Sequence, residues 1–422
     1  METIDNSTYW GNIFLDSKFT EVIQTKEFKD QAYKLHLGIP NFTENKTRLV
    51  HALGVFHLAG KLMSRCETLC NGKVDISPDD KNAVLLFGLL HDIGHAAHSH
   101  SSEDFLNGDH EMRAITMLVD SSTEIHQCLA KNFGPRVIKK VMSLIRNSEK
   151  DSEFLDIVQP MLSGPEDIDR MEYMYTDPIY SIGKQHSEDF SDLLDVIQLE
   201  HVDGKYKIVY PHTSIDRLKD FHRKRFDLYD SIYYSTKKML LEEIYSNYAK
   251  CDGVSITWDD DMYSVNSQVQ KHSNCVDCLP VNRCADLIVS HEQANIPYYY
   301  TYIKEDYLAI IGRLYEQLPE LKAVEQEGNN CCLYTCSRKM KLYNNKYSTY
   351  IKYDSSRIST LANRRDFNQL YQLTKYLVAV DLEYLATLTA TDYNDLLERY
   401  NLAVYGSKHI TEEHEMKKIL FS

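Results

Sequence analysis

The chain has 422 residues, 43% of them hydrophobic, with 47 Lys and Arg against 62 Asp and Glu and a formal net charge of -15. Such a chain can bury the core of one large or two ordinary globular domains. Its negative balance repels a phosphate backbone at long range and no basic patch offsets it, so a nucleic-acid partner is not expected.

The amino terminus, METIDNSTYWGN, has neither a basic nor an apolar stretch of secretory type. The longest apolar run, Ala83 to Leu90, is far too short to span a bilayer. A cytoplasmic protein with no membrane partner is expected. In that compartment the ten cysteines are expected to be free thiols or metal ligands rather than disulfides.

In chain order, Val50, Leu53, Phe56 and Leu58 fall close to helical spacing and predict a helix over Thr47 to Met63. A second helix is predicted across Lys81 to His91, its start marked by Ser77, Pro78, Asp79 and Asp80, where acids favour the helix dipole. Gly94 and HAAHSHSSED read as a helix exit and a loop, and His110 to Leu118 reads as helical again. Gly164 and Pro165 break the chain before EDIDRMEYMYTD, where Ile168, Met171 and Tyr175 lie at helix-like intervals. Short alternating segments at Tyr206 to Tyr210 and Tyr298 to Ile303 predict strands, and Ile215 to Ala249 and Arg364 to Leu385 predict long helices. The expected fold is mostly α: a helical core over residues 1–250 and a smaller α+β lobe over 251–422, divided by a composition shift near residue 250.

The strongest chemical signal is His91-Asp92 within LLFGLLHDIGHAAHSH, with His51 upstream and Asp169 downstream. Imidazole and carboxylate suit a borderline or hard divalent ion, and such groups on separate helices leave coordination positions open for substrate. Adjacent helical residues point roughly 100 degrees apart, so a neighbouring pair shares one ion only at a helix end or bend; Gly94 offers a reason for a bend. A charged dipeptide ending a buried apolar helix needs compensation, which a cation supplies.

The pattern resembles the HD-domain phosphohydrolases, in particular the deoxynucleoside triphosphate triphosphohydrolases. The family's R-x-x-H-S-L-G-V element is matched by Arg48, His51, Leu53, Gly54 and Val55, with Ala52 in place of Ser; H-D-x-G-H followed by S-H by His91, Asp92, Gly94, His95, Ser99 and His100; H-E by His110 and Glu111; and D-x-D, a basic residue and Tyr by Asp167, Asp169, Arg170 and Tyr173. The resemblance covers roughly residues 13–240. It implies that His51, His91, Asp92 and Asp169 hold one divalent ion per active site (Mn, Fe, Co, Ni, Zn or Mg), that His95 and His110, the latter paired with Glu111, are catalytic, and that His100 lies along the phosphates. Arg48 and Arg170 would bind phosphate oxygens, and FHRKRFDLYDSIYY adds Arg225 as a phosphate ligand and Tyr233 as a pocket residue. Alarmone hydrolases follow the HD pair with an acid where this chain has His95, and the G-Y-P element of the cyclic dinucleotide phosphodiesterases is not found.

Tyr173 and Asp177 lie one and two helical turns beyond Asp169 and are expected to share its face. By resemblance the tyrosine packs against a deoxyribose and the aspartate takes its 3'-hydroxyl. VIQTKEFKDQAYKLHLGI departs from the family: His36 replaces a glutamine that helps hold that hydroxyl, and Gln24, Lys29 and Asp30 depart from the nucleotide-activator pattern. Activity without an activator is expected, on a nucleotide substrate, in a homo-oligomer built from dimers. Cys275 and Cys278 form a C-x-x-C, but Cys331, Cys332 and Cys336 do not repeat its spacing, so buried free thiols rather than a zinc site are expected. A phosphatase or phosphodiesterase acting on a modified or cyclic nucleotide, and a catalytically silent nucleotide sensor, are the alternatives.

Overall fold

A computed structural model describes residues 2–4, 9–38, 46–273, 283–284, 287–288, 296–326, 332–340, 349–354, 357–361 and 373–405. The chain divides into two compact units. The first is Met1–Leu228 with Thr257–Met262 and Tyr343–Asn368; the second is Tyr229–Ile256, Tyr263–Leu342 and Gln369–Ser422. Both are interrupted in sequence, so the division is not the single step near residue 250 that the composition suggested.

The first unit is helical. Its longest helix, α1 (Arg48–Cys70), buries His51, Leu53, Val55, Leu58 and Leu62 and packs against α2 (Pro78–Leu90). The start of α2 is fixed locally. Ser77 accepts the Asp80 backbone N–H while the Asp80 carboxylate accepts that of Ser77, a reciprocal cap with Pro78 in the first turn. The loop after α2 runs into a short helix, α3 (His100–Leu106), where the sequence predicted only loop, and then α4 (His110–Val119). Behind α2 packs α5 (Gly134–Ile145), through a side that buries Val137, Val141 and Leu144. Its Lys140, also buried, donates to Asp80 at 2.8 Å and so keeps its charge paired.

Farther on, α6 (Ile168–Ser181) lies against α1. A Cβ at Gly54 of α1 would come 2.7 Å from the Glu172 side chain, so only glycine allows this approach. The hairpin β1 (Gln198–Val202) and β2 (Lys205–Pro211) confirms the strand predicted at Tyr206 to Tyr210. The helix α7 (Ile215–Leu228) closes the first unit's main run.

The helix expected to continue to Ala249 is interrupted. After Leu228 come a π turn over Tyr229–Tyr233 and a fresh helix in the second unit, α8 (Thr236–Ala249), capped by Ser235. A three-stranded antiparallel sheet follows in that unit, ordered β3 (Tyr298–Thr301), β7 (Leu373–Val380), β4 (Leu333–Met340). In the first unit, β5 (Tyr350–Lys352) pairs parallel to β2 and antiparallel to β6 (Ile358–Thr360). One side of the three-stranded sheet receives α8 through Met239, Cys336 and Leu377. Helix α9 (Lys304–Gln317) packs on it through Tyr307 against Tyr376, ring centroids 4.9 Å apart.

The central strand β7 corrects the described part of the long helix predicted over Arg364 to Leu385; among the described residues of that span only those from Leu382 on are helical, in a helix that runs to Thr389. Residues 362–372 lie outside the described part. The fold is thus mostly α with small sheets, the α+β character being strongest in the second unit. No described helix is long and apolar enough to cross a membrane.

Candidate metal centre

Three elements of the first unit meet at its functional centre: the first turn of α1, the carboxyl end of α2 and the first turn of α6. The His91-Asp92 pair sits where α2 stops, since its last helical residue is Leu90 and the chain turns on through Ile93 N–H to Leu90 O at 3.2 Å and His95 N–H to Asp92 O at 3.2 Å. That is the helix end the pair needs. Gly94 serves another purpose than the bend expected of it: a Cβ there would lie 2.0 Å from His110 O, so glycine lets the first turn of α4 sit on the loop.

His51 Nε2 is 3.1 Å from Asp169 Oδ1 and 3.3 Å from Asp92 Oδ2, and His91 Nε2 is 3.8 Å and 3.6 Å from the same two oxygens. Metal bonds of about 2.0–2.2 Å to such donors place neighbouring ligand atoms about 3 Å apart. The tautomers agree. His51 Nδ1 donates to Glu172 Oε2 and His91 Nδ1 donates to Phe87 O at 3.2 Å, which leaves both Nε2 lone pairs facing carboxylate oxygens. Both Nε2 atoms are buried without a hydrogen-bond partner. Lone pairs and carboxylates turned towards one point repel unless a cation occupies it, so the residues present fit a divalent ion. Proton chemistry shows the same bias: burial works against charge on His51, but Glu172, Asp169 and Asp92 outweigh it and hold its imidazole well above the ordinary range.

Glu172 was not singled out in the sequence. It is fully buried, and its second partner is Lys46, which donates to Glu172 Oε2 at 2.8 Å and to Asp177 Oδ1 at 2.7 Å. A carboxylate behind a metal-ligating histidine fixes its ring and raises its basicity. Glu172→Ala is therefore expected to weaken metal binding about 10- to 100-fold, read by competition against a metal buffer. Unchanged affinity would remove Glu172 from this role.

A second cluster adjoins the first through Asp92, whose Oδ2 faces His51 and His91 while Oδ1 lies 3.5 Å from His95 Nε2 and 3.9 Å from His110 Nε2. His95 and His110 stack at 3.9 Å between centroids. Their common partner is Glu103: its Oε1 lies 2.8 Å from His110 Nδ1, 3.1 Å from His95 Nδ1 and 3.3 Å from His100 Nδ1. Burial disfavours the Glu103 carboxylate, yet three imidazoles hold it far below the usual range. Burial, with Arg48 and His110 nearby, pushes His95 down to about 3. His110 is the opposite case, since its bond to Glu103 and the charge of Asp92 outweigh burial and raise it. Glu111, expected beside His110, is exposed, and the carboxylate that meets His110 is that of Glu103.

Of the remaining expected residues, Arg48 is buried, its Nε donating to Ser99 Oγ at 2.7 Å and its Nη1 to Asp92. Arg170 donates to Gly164 O at 2.7 Å and to Asp167, while its Nε is buried without a partner. Arg225 Nε donates to Tyr173 Oη at 3.2 Å, joining two of the expected pocket residues. Asp177 and His36 lie together, 3.5 Å apart, and His36 stacks near His51 with centroids 4.2 Å apart. The Asp177 carboxylate is fully buried and ion-paired with Lys46. Tyr233 falls in the second unit. Cys275, Cys278 and Cys331 lie outside the described residues; Cys284, Cys332 and Cys336 are buried.

Residues 48–167 match the HD domain family. An uncharacterised protein of Mycoplasma genitalium is 28% identical over 249 residues, 55% of this chain and 56% of that one. The Dictyostelium discoideum deoxynucleoside triphosphate triphosphohydrolase SAMHD1 homolog is 26% identical over 243 residues, 54% of this chain and 45% of that one. The match thus spans about half the length of each. Among solved structures, a phosphohydrolase from Bacteroides thetaiotaomicron superposes with a TM-score of 0.70 at 17% identity, over 90% of this chain and 99% of that one.

Proposed function

We propose that this chain, whose residues 48–167 are an HD domain, is a metal-dependent phosphohydrolase that cleaves deoxynucleoside triphosphates to deoxynucleoside and inorganic triphosphate. The observation that carries the hydrolase reading is the convergence of His51, His91, Asp92 and Asp169, with both Nε2 lone pairs turned to one point. A divalent ion held there supplies a Lewis acid for a phosphoryl oxygen and acidifies a water molecule.

The chain's own residues do the rest. Arg48, anchored by Ser99, and Arg170, with its free buried Nε, offer guanidinium N–H groups to phosphate oxygens as negative charge develops. His110, whose pKa Glu103 raises, donates a proton to the leaving oxygen, and His95 beside it stays neutral at physiological pH. The triphosphate specificity rests on the relatives and on the number of cationic groups. Because Lys46 engages Asp177, sugar reading falls to Tyr173, held by Arg225.

The test is to incubate the purified protein with each dNTP and NTP across several divalent metals and chromatograph the products. Nucleoside plus triphosphate in one step is expected from a single dNTP, with no second nucleotide added. Stepwise release of orthophosphate, or turnover of cyclic nucleotides alone, would replace this reading with that of a phosphatase or phosphodiesterase. Strict dependence on a second nucleotide would overturn the expectation of activator-free turnover drawn from Gln24, Lys29 and Asp30.

A further inference from the structure

His110 makes its contact to Glu103 from the first residue of α4, and a helix's first turn lacks the hydrogen bonds that steady its interior. Before it lie Asn107, in the left-handed region at φ 49°, and the exposed Gly108 and Asp109. Asp109 caps the helix by accepting the Glu111 N–H at 2.7 Å and the Met112 N–H at 3.2 Å, but the cap and Glu103 come from the same short stretch of chain as the turn they hold. A second hold comes from a segment about 150 residues farther along, Thr257–Met262, which belongs to the first unit although its sequence neighbours on both sides belong to the second.

We propose that Trp258 and Asp259 are positioning residues for His110, forming a strap that clamps the first turn of α4 against the loop after the HD pair. The indole lies directly on Gly108: a Cβ there would come 2.3 Å from Trp258 Cζ2 and 2.9 Å from Cε2, so the two can meet only because residue 108 is glycine. Arg113, on the first turn of α4, ties three backbones together. Its Nη1 donates to Trp258 O at 2.7 Å and to Gly94 O at 3.3 Å, its Nη2 donates to Asp259 at 2.5 Å, and its guanidinium lies 5.5 Å from the centre of the indole. The strap is folded on itself by Asp260, which accepts from Thr257 N–H at 2.7 Å and from Thr257 Oγ1 at 2.9 Å. From the other side the backbone of Gly94 touches His110 O and Ala114 N. The turn that carries His110 is therefore held between the metal-ligand loop and the strap. A site needs its reacting groups fixed to within about 0.5 Å, and a helix terminus reaches that only with such outside support. The strap lies outside residues 48–167, so it is an addition to the HD domain.

The inference rests on the reading of His110 as a group that acts at the phosphate, and the experiment separates the two. Hydrogen exchange is measured on the full-length, metal-loaded protein together with metal content and steady-state turnover. In Trp258→Ala, amides of residues 100–112 are expected to exchange about tenfold faster, while those of 48–58 and the bound metal do not change. Turnover is expected to fall about ten- to a hundredfold with KM within about twofold of wild type. Trp258→Phe, which keeps a ring on Gly108, should restore both. Unchanged exchange at 100–112, a uniform rise across the whole core, or normal kcat despite faster local exchange would each overturn the strap. A wild-type protein inert to every nucleotide would instead sink the proposed function and leave the exchange result to judge the strap.

Discussion

In His91→Ala/Asp92→Ala the protein should fold, elute without bound metal and show no turnover of any nucleotide. The effect is expected to be total because both residues belong to the proposed ligand set and Asp92 serves twice. His91 contributes the Nε2 lone pair that its bond to Phe87 O leaves turned inward. Asp92 gives one carboxylate oxygen to the metal ligands, 3.3 Å from His51 Nε2, and the other to the imidazoles of His95 and His110. Removing both leaves His51 and Asp169, a two-ligand remnant without the geometry to retain an ion at ordinary concentration. It also leaves Arg48 without its carboxylate partner. Stability should suffer less than activity, because the mutated pair sits at a helix end and the helix is held by its reciprocal cap and by packing on α1 and α5. Metal analysis after desalting gives the answer. Full occupancy in the double variant would mean that the ion is held elsewhere.

Much of this centre was legible in the sequence because its residues sit at positions that local rules also mark. The Ser77, Pro78 and Asp80 start signal locates α2, which then delivers His91 and Asp92 at its far end. The carboxylate behind His51 was not legible. Glu172 is three residues after Asp169, a spacing that in most helices describes a solvated acidic face. Packing at long range gives it its place: Glu172 reaches a histidine 121 positions away, where α1 carries glycine at residue 54.

The misread strand has a similar cause. β7 is central in its sheet, and Leu377 and Ala379 are buried on one face as Val378 and Val380 are on the other, so its sequence shows no alternation and reads as a short apolar run. The interruption after Leu228 leaves one local mark, the Ser235 that caps the next helix, while the residues before it tolerate a helix.

His110→Ala and Glu103→Gln are expected to retain metal yet lose about a hundredfold or more in turnover, the scale of a lost general acid or base. Their pH profiles distinguish a proton donor from a residue that merely packs. In the native protein burial works against a charged His110, but Glu103 and Asp92 overcome it, so the folded pKa is raised and the ring keeps its proton to higher pH than an ordinary imidazole. If the ring donates to the leaving oxygen, kcat holds below that pKa and falls as pH rises through it. Glu103→Gln removes the carboxylate bonded to Nδ1 at 2.8 Å, so the alkaline limb should move to lower pH. His110→Ala should abolish that limb, leaving whatever weaker limb other groups impose. His95→Ala should also lose about a hundredfold in turnover without moving the alkaline limb, because burial keeps the native His95 at about 3 and hence uncharged across the whole range assayed. Near-normal turnover with lowered thermal stability in His110→Ala would reduce it to a packing residue, and an alkaline limb that stays put in Glu103→Gln would assign that limb to another group.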